Sequence, residues 1–198
     1  MILPSRYYEE NLYPLQDGVL NILSRSGTDF FLTGGTALSR GYYNHRYSDD
    51  LDFFLDRSKT YNEQIDVVLA MFIDNGYSWD TSKGFIRAEN FTTINVKKDS
   101  SIHNLKLDFV NDLVPHFGGI VKTDVYFRTD SIRNILSNKL SAVFRYAAKD
   151  IADIREIALH EAIDWTSIIQ DARQKKPGWT LPTYRKFYKA CQKKNLIR

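Results

Sequence analysis

Apolar residues along this 198-residue chain recur with two different periods, and the change of period divides the sequence. Leu15, Val19, Ile22 and Leu23 form a helical stripe over residues 15–26 that Gly27 is suited to close. A second stripe, Ile65, Val68, Leu69, Phe72 and Ile73, predicts an amphipathic helix over 61–75 ending at Gly76. Between and after these helices the pattern shortens to that of strands, predicted at 30–33, 49–55, 77–79, 85–88, 91–98, 102–110 and 119–128. Asp99-Ser100-Ser101 turns two of them into a hairpin. From Asp130-Ser131, a helix N-cap, the chain reads as helical: 132–147, 150–161, 165–175 and 183–194. The expected fold class is α/β (α+β), a mixed sheet with flanking helices in a domain over 1–128, followed by a C-terminal helical region over 129–198.

Composition narrows this without changing it. Hydrophobic content of 43% and charged content of 26% are those of a folded globular protein. No apolar run reaches the length of a membrane span and the N-terminal residues lack the pattern of a signal peptide, so the chain is expected to be cytoplasmic and to need no membrane. A lone cysteine, Cys191, excludes an internal disulfide framework, and four scattered histidines make no zinc constellation. The net charge of +3 conceals a division: residues 172–198 hold nine Lys or Arg and no acid, leaving 18 basic against 24 acidic residues elsewhere. In the predicted last helix Tyr184, Phe187, Tyr188 and Cys191 form an apolar stripe, which turns Lys186, Lys189, Lys193 and Lys194 outward as candidates for a phosphate backbone. Such a tail equally suits an acidic protein partner.

The chemistry concentrates in residues 30–56. Side chains alternate along a strand, so Asp50 and Asp52 share one face about 7 Å apart while Leu51 and Phe53 point into the core. Paired carboxylates suit a divalent cation. Upstream, Gly34-Gly35-Thr36 lets the backbone approach a ligand and opens a helix whose free N–H groups suit an anion. Phosphate at one end and metal at the other point to a nucleoside triphosphate (NTP) with Mg2+ or Mn2+. Ser48 is near enough to orient the strand or a phosphate, and Arg40 or Arg46 is positioned to add charge. Asp108, flanked by apolar neighbours in Leu105-Lys106-Leu107-Asp108-Phe109, needs either a ligand or a partner such as Lys106. On one unbroken helix Lys139 and Asp150 would differ by only about 20° in direction, with Asp153 about 40° to the other side of Lys139.

Gly34-Gly35-Thr36-Ala37-Leu38, His45-Arg46-x-Ser48-x-Asp50-Leu51-Asp52-Phe53-Phe54 and the later Lys139 with Lys149-Asp150-x-x-Asp153 resemble the signature of the AbiEii/AbiGii toxin-type nucleotidyltransferases, within the DNA polymerase beta-like nucleotidyltransferase superfamily. That resemblance implies a nucleotidyltransferase fold, NTP as substrate, and a metal triad of Asp50, Asp52 and Asp108; if replacing Asp108 alone proves harmless, Asp112 and Asp124 are the residues to examine next. It also implies a triphosphate contact at Lys139, a catalytic role for Asp150, and a toxin with a cognate antitoxin in a toxin-antitoxin or phage-defence system. The acceptor it implies is an RNA, the 3' end of tRNA in particular. Nucleotidylation of a small molecule or protein, and a non-catalytic partner-binding protein on the same fold, are the alternatives.

Overall fold

The computed structural model describes residues 4–99, 101–145 and 147–176. The chain forms two compact units, one holding the described residues up to Leu113 together with Ile120–Asp130, the other Val114–Gly119 and the described residues from Ser131 onward. The predicted helix at 183–194, with Lys186, Lys189, Lys193 and Lys194, lies outside the described residues.

The first unit opens with α1 (Pro4–Tyr7), which runs through a π-helical turn at Tyr8–Leu12 into α2 (Tyr13–Arg25). The α2 stripe buries Leu15, Val19, Ile22 and Leu23 as its spacing requires. Strand β1 (Phe31–Thr33) leads directly into α3 (Gly34–Thr36) and a π-helical stretch at Ala37–Tyr43. The helix thus begins at the first glycine of the turn, and Asn44 in the left-handed region ends it. Then come β2 (Leu51–Asp56), α4 (Tyr61–Asp74), β3 (Tyr77–Ser78), β4 (Phe85–Ala88), β5 (Phe91–Lys98) and β6 (Leu105–Asp112).

The sheet runs in the order β1-β2-β6-β5, with β3 and β4 both pairing β5. Strands β2 and β6 pair in parallel; β1 with β2, β5 with β6, and β3 and β4 with β5 are antiparallel. Period-two alternation decides the faces: Leu51, Phe53 and Leu55 on β2, Ile94 and Val96 on β5, and Leu105, Leu107 and Phe109 on β6 are buried. Helix α4 supplies Ile65, Val68 and Phe72 to the core, and Tyr61 donates its hydroxyl to Thr92 on β5 at 2.9 Å. The opposite face carries Asp52, Asp108 and Lys106.

One expected strand is absent. Residues 119–128 form turns instead, joined only by isolated bridges of Thr129 to Leu32 and Val121. Thr123 Oγ1 takes part in a local turn with Tyr126 while Leu32 donates to the carbonyl of Arg128, so the segment ends against β1 without a ladder of its own.

The second unit is helical. Ser131 caps α5 (Ile132–Ala142) by accepting from the Asn134 N–H, as the sequence predicts. A 3-10 turn at Val143–Arg145 and an extended Ala147 then break the chain before α6 (Ala148–His160), so the unbroken helix assumed for Lys139 and Asp150 does not exist. Asp164 caps α7 (Trp165–Lys175), whose Lys175 reaches Asn134 and Asn138 of α5. Among the described residues no helix is long and apolar enough to cross a membrane.

Candidate active site

Register brings the first two carboxylates together. Asp52 on β2 is the direct partner of Asp108 on β6 across a parallel pair, so both side chains stand on the same open face with backbones about 5 Å apart. Asp50 precedes β2 by one residue, and its carbonyl accepts the Thr36 hydroxyl at 2.5 Å. Thr36 therefore ties the glycine turn to the entry of the carboxylate strand.

The two glycines do different work from one another. Gly34 has φ of +69°, a left-handed conformation that favours glycine, and a Cβ there would collide with Asp52 Oδ2. A Cβ on Gly35 would meet Arg46 Nη2 at 2.5 Å and Ser48 Oγ at 3.1 Å. The pair thus lets the loop backbone lie against Asp52, Arg46 and Ser48 in one cradle. Gly34→Ala should cost roughly 1–3 kcal/mol of stability through the strained φ. It should also displace Asp52, so that nucleotide transfer falls further than the folded fraction does, as paired denaturation and activity measurements would show.

Polar supports lie behind this cradle, with Gln16 buried at their centre. Gln16 is fully buried, donates to the Ser48 carbonyl at 2.9 Å and accepts from Arg40. Arg40 also pairs with Asp17 at 2.7 Å and lies 4.3 Å over the Tyr13 ring, which makes it a brace; Arg46, not Arg40, is the arginine beside the glycines. Tyr8 stacks on Tyr47 with centroids 4.3 Å apart and donates to Asp49, one residue before Asp50. Burial, and then the hydrogen bond to Asp49, push the Tyr8 phenol up to about 12, so it remains a donor at any physiological pH. Thr33 donates to the fully buried Asp130, whose carbonyl accepts from Tyr42.

Lys106 completes the cluster. Its ammonium contacts Asp108 Oδ2 at 2.5 Å. Burial pulls this lysine down, yet the hydrogen bond to Asp108 and the charges of Asp108, Asp50 and Asp52 more than offset it, leaving the pKa raised. The Lys106 ammonium is therefore held in the field of all three acids. Lys106 is two residues before Asp108 on the same strand, so strand alternation alone places the two on one face.

Among the described residues no group of three or more His, Cys, Asp or Glu side chains is already gathered to hold a metal ion. The cluster nonetheless fits a hard divalent cation: its donors are carboxylate oxygens, and Asp108 Oδ1 is buried with no hydrogen-bond partner.

In the second unit, Lys139 is buried between Asp150 Oδ1 at 3.2 Å and Asp153 Oδ2 at 2.6 Å. The return of the chain after the 3-10 turn, not a shared helix face, brings these residues together. Asp153 makes the shorter contact and is fully buried. Arg145 reaches Asp150 at 3.5 Å.

The mixed sheet thus carries a glycine turn braced against an Asp-x-Asp strand, with a third acid on the neighbouring parallel strand. The chain belongs to the family described as "Nucleotidyl transferase AbiEii toxin, Type IV TA system", which matches residues 19–181. It is a nucleotidyltransferase toxin by that membership. Three solved structures resemble its fold. JHP933 from Helicobacter pylori is 22% identical with a TM-score of 0.57, over 83% of this chain and 71% of that one. A putative nucleotidyltransferase from H. pylori is 21% identical with a TM-score of 0.58, over 87% and 78%. MenT4, the nucleotidyltransferase toxin Rv2826c from Mycobacterium tuberculosis H37Rv, is 19% identical with a TM-score of 0.59, over 86% and 65%. No curated protein matches the sequence.

Proposed function

We propose that this enzyme moves a nucleoside monophosphate from an NTP to the 3' hydroxyl of an RNA, the 3' end of tRNA being the leading acceptor. The observation that carries the reading is the register pairing of Asp52 with Asp108 on the open sheet face, with Gly34 packed on Asp52. Asp50, Asp52 and Asp108 would hold Mg2+ or Mn2+, which when bound lowers the pKa of an attacking hydroxyl and neutralises charge on the triphosphate. Gly34 and Gly35 offer backbone N–H groups to phosphate oxygens, with Arg46 and Ser48 beside them. The Thr36 hydroxyl serves the loop instead, since it is committed to Asp50. Lys106 holds the three carboxylates in place by offsetting their mutual repulsion. Lys139 and Asp150 are proposed to serve the same reaction, Lys139 at the triphosphate, with Asp153 fixing the ammonium. The basic tail, including Lys186, Lys189, Lys193 and Lys194, would add phosphate contacts to the RNA. Membership of a toxin-antitoxin family also implies a cognate antitoxin as partner.

Incubating the purified chain with each labelled NTP, Mg2+ and, in separate reactions, total tRNA, a protein lysate and a small-molecule extract tests the acceptor. Label should enter tRNA, and chelating divalent cations with EDTA should abolish it. Label confined to protein or to small molecules would replace RNA as the acceptor while leaving the chemistry in place.

A further inference from the structure

The open face continues past the carboxylates. Thr93 on β5 is the register partner of Asp108, Asn95 that of Lys106, and Lys97 follows on the same face. Beyond them, the loop between β3 and β4 closes a cavity of about 460 Å3 lined by Trp79, Asp80, Lys83, Asn95, Lys97 and Asn104. Its contents are unlike those of a catalytic site. Trp79 is backed by Phe85, with ring centroids 6.5 Å apart and planes 28° from parallel. Lys83 and Lys97 are exposed and form no ion pair with a described residue. The acid of the cavity, Asp80, is tied into its own turn by the N–H and hydroxyl of Ser82 at 2.8 and 2.6 Å. Gly84, at φ of +74°, has no Cβ to collide with the Asn95 carboxamide, which therefore lies against the loop.

An indole, two unpaired ammonium groups and two carboxamides are the groups that recognise a nucleotide within a single strand: a π-face for any base, cations for phosphate, and amides for sugar or base edges. Four residues of strand, about 13 Å, separate the level of Asp108 from that of Lys97. That span is short enough for one strand to reach both. We propose that the cavity is a subsite for an upstream nucleotide of a single-stranded RNA acceptor, whose base stacks on Trp79 and whose phosphates meet Lys83 and Lys97 while its 3' end lies at the carboxylates. The proposal rests on the RNA-acceptor reading and deepens it.

The test uses the whole chain and a defined single-stranded oligoribonucleotide with a free 3' hydroxyl. Binding is followed by anisotropy in EDTA, and nucleotide transfer onto the same oligonucleotide is followed with Mg2+. Trp79→Leu should weaken binding about 5- to 100-fold, the range for loss of one base stack, while Trp79→Phe keeps most of the affinity. Lys83→Gln with Lys97→Gln should flatten the salt dependence by about 0.7 log unit for each lost phosphate contact. In transfer, KM for the oligonucleotide should rise and KM for NTP should not. If wild type binds and extends the oligonucleotide and these variants do so equally well, the subsite is refuted and the RNA reading stands. Variants that lose binding of a free mononucleotide alone would also refute it. If wild type binds no RNA and labels a protein or small molecule, the RNA reading fails and the subsite falls with it.

Discussion

Asp52→Asn and Asp108→Asn should each lower nucleotide transfer by about 10³-fold or more while leaving the protein folded. The two effects separate because of where the carboxylates sit. Both stand on the open face of the sheet, on strands whose opposite faces make the core, so neither amide disturbs Leu51, Phe53, Leu107 or Phe109. Asp108 loses a contact to Lys106, whose side chain is 49% exposed, and pairs of that kind contribute no more than about 1 kcal/mol. Removing one acid from a crowded trio also relieves repulsion. The catalytic loss, in contrast, would be that of a proposed charged ligand to a cation stabilising the transferring phosphate, worth several kcal/mol. Thermal melts within a few degrees of wild type, beside a collapsed turnover number, are the expected pair of readings. An Asp108→Asn enzyme with normal turnover would move the third ligand elsewhere. Asp112 is on the same strand face, two pleats on, whereas Asp124 lies in the irregular segment 119–128 and is the weaker substitute.

The second large effect is expected at Lys139, and it is a loss of stability as well as of activity. Alanine there takes the ammonium away from two buried carboxylates, of which Asp153 is fully enclosed, and breaking a buried pair from one side costs about 3–5 kcal/mol. Chemical denaturation should show that cost. Replacing Lys139 by Met together with Asp150→Asn and Asp153→Asn removes the carboxylate charges as well and should recover most of it. Turnover separates the roles: if Lys139 serves the triphosphate, the recovered triple variant stays at least roughly 10-fold slower per folded molecule. A triple variant with both stability and turnover restored would make the Lys139, Asp150 and Asp153 group a brace alone.

The sequence made much of this arrangement legible, and the misses have physical causes. Period-two alternation placed Asp52 and Asp108 outward, because burial of the intervening leucines and phenylalanines fixes each strand's face. The same rule reaches Lys106, which the sequence marked only as a possible partner of Asp108; its central position among three acids follows from the pairing of β2 with β6, a non-local fact. Gly34 and Gly35 were legible as a place of close approach, but what approaches includes the protein's own Asp52 and Arg46, which only the folded loop shows. Arg40 and Arg46 were indistinguishable in sequence because both are basic residues of one linker; Gln16, Asp17 and Tyr13, distant in the chain, claim the first. The Lys139 and Asp150 meeting was expected for a wrong geometric reason, since helical spacing carries no sign of the break at Val143–Arg145. Residues 119–128 alternate like a strand, yet form turns that β1 meets only at isolated bridges.

Nucleotidyl transfer itself is tested most directly by where the phosphate label travels. With tRNA as acceptor, NTP labelled at the α-phosphate should yield labelled RNA, and NTP labelled at the γ-phosphate should yield unlabelled RNA and labelled pyrophosphate, both lost in Asp52→Asn. Label from the γ-phosphate on the acceptor, or α-label transfer that survives Asp52→Asn unchanged, would contradict the account.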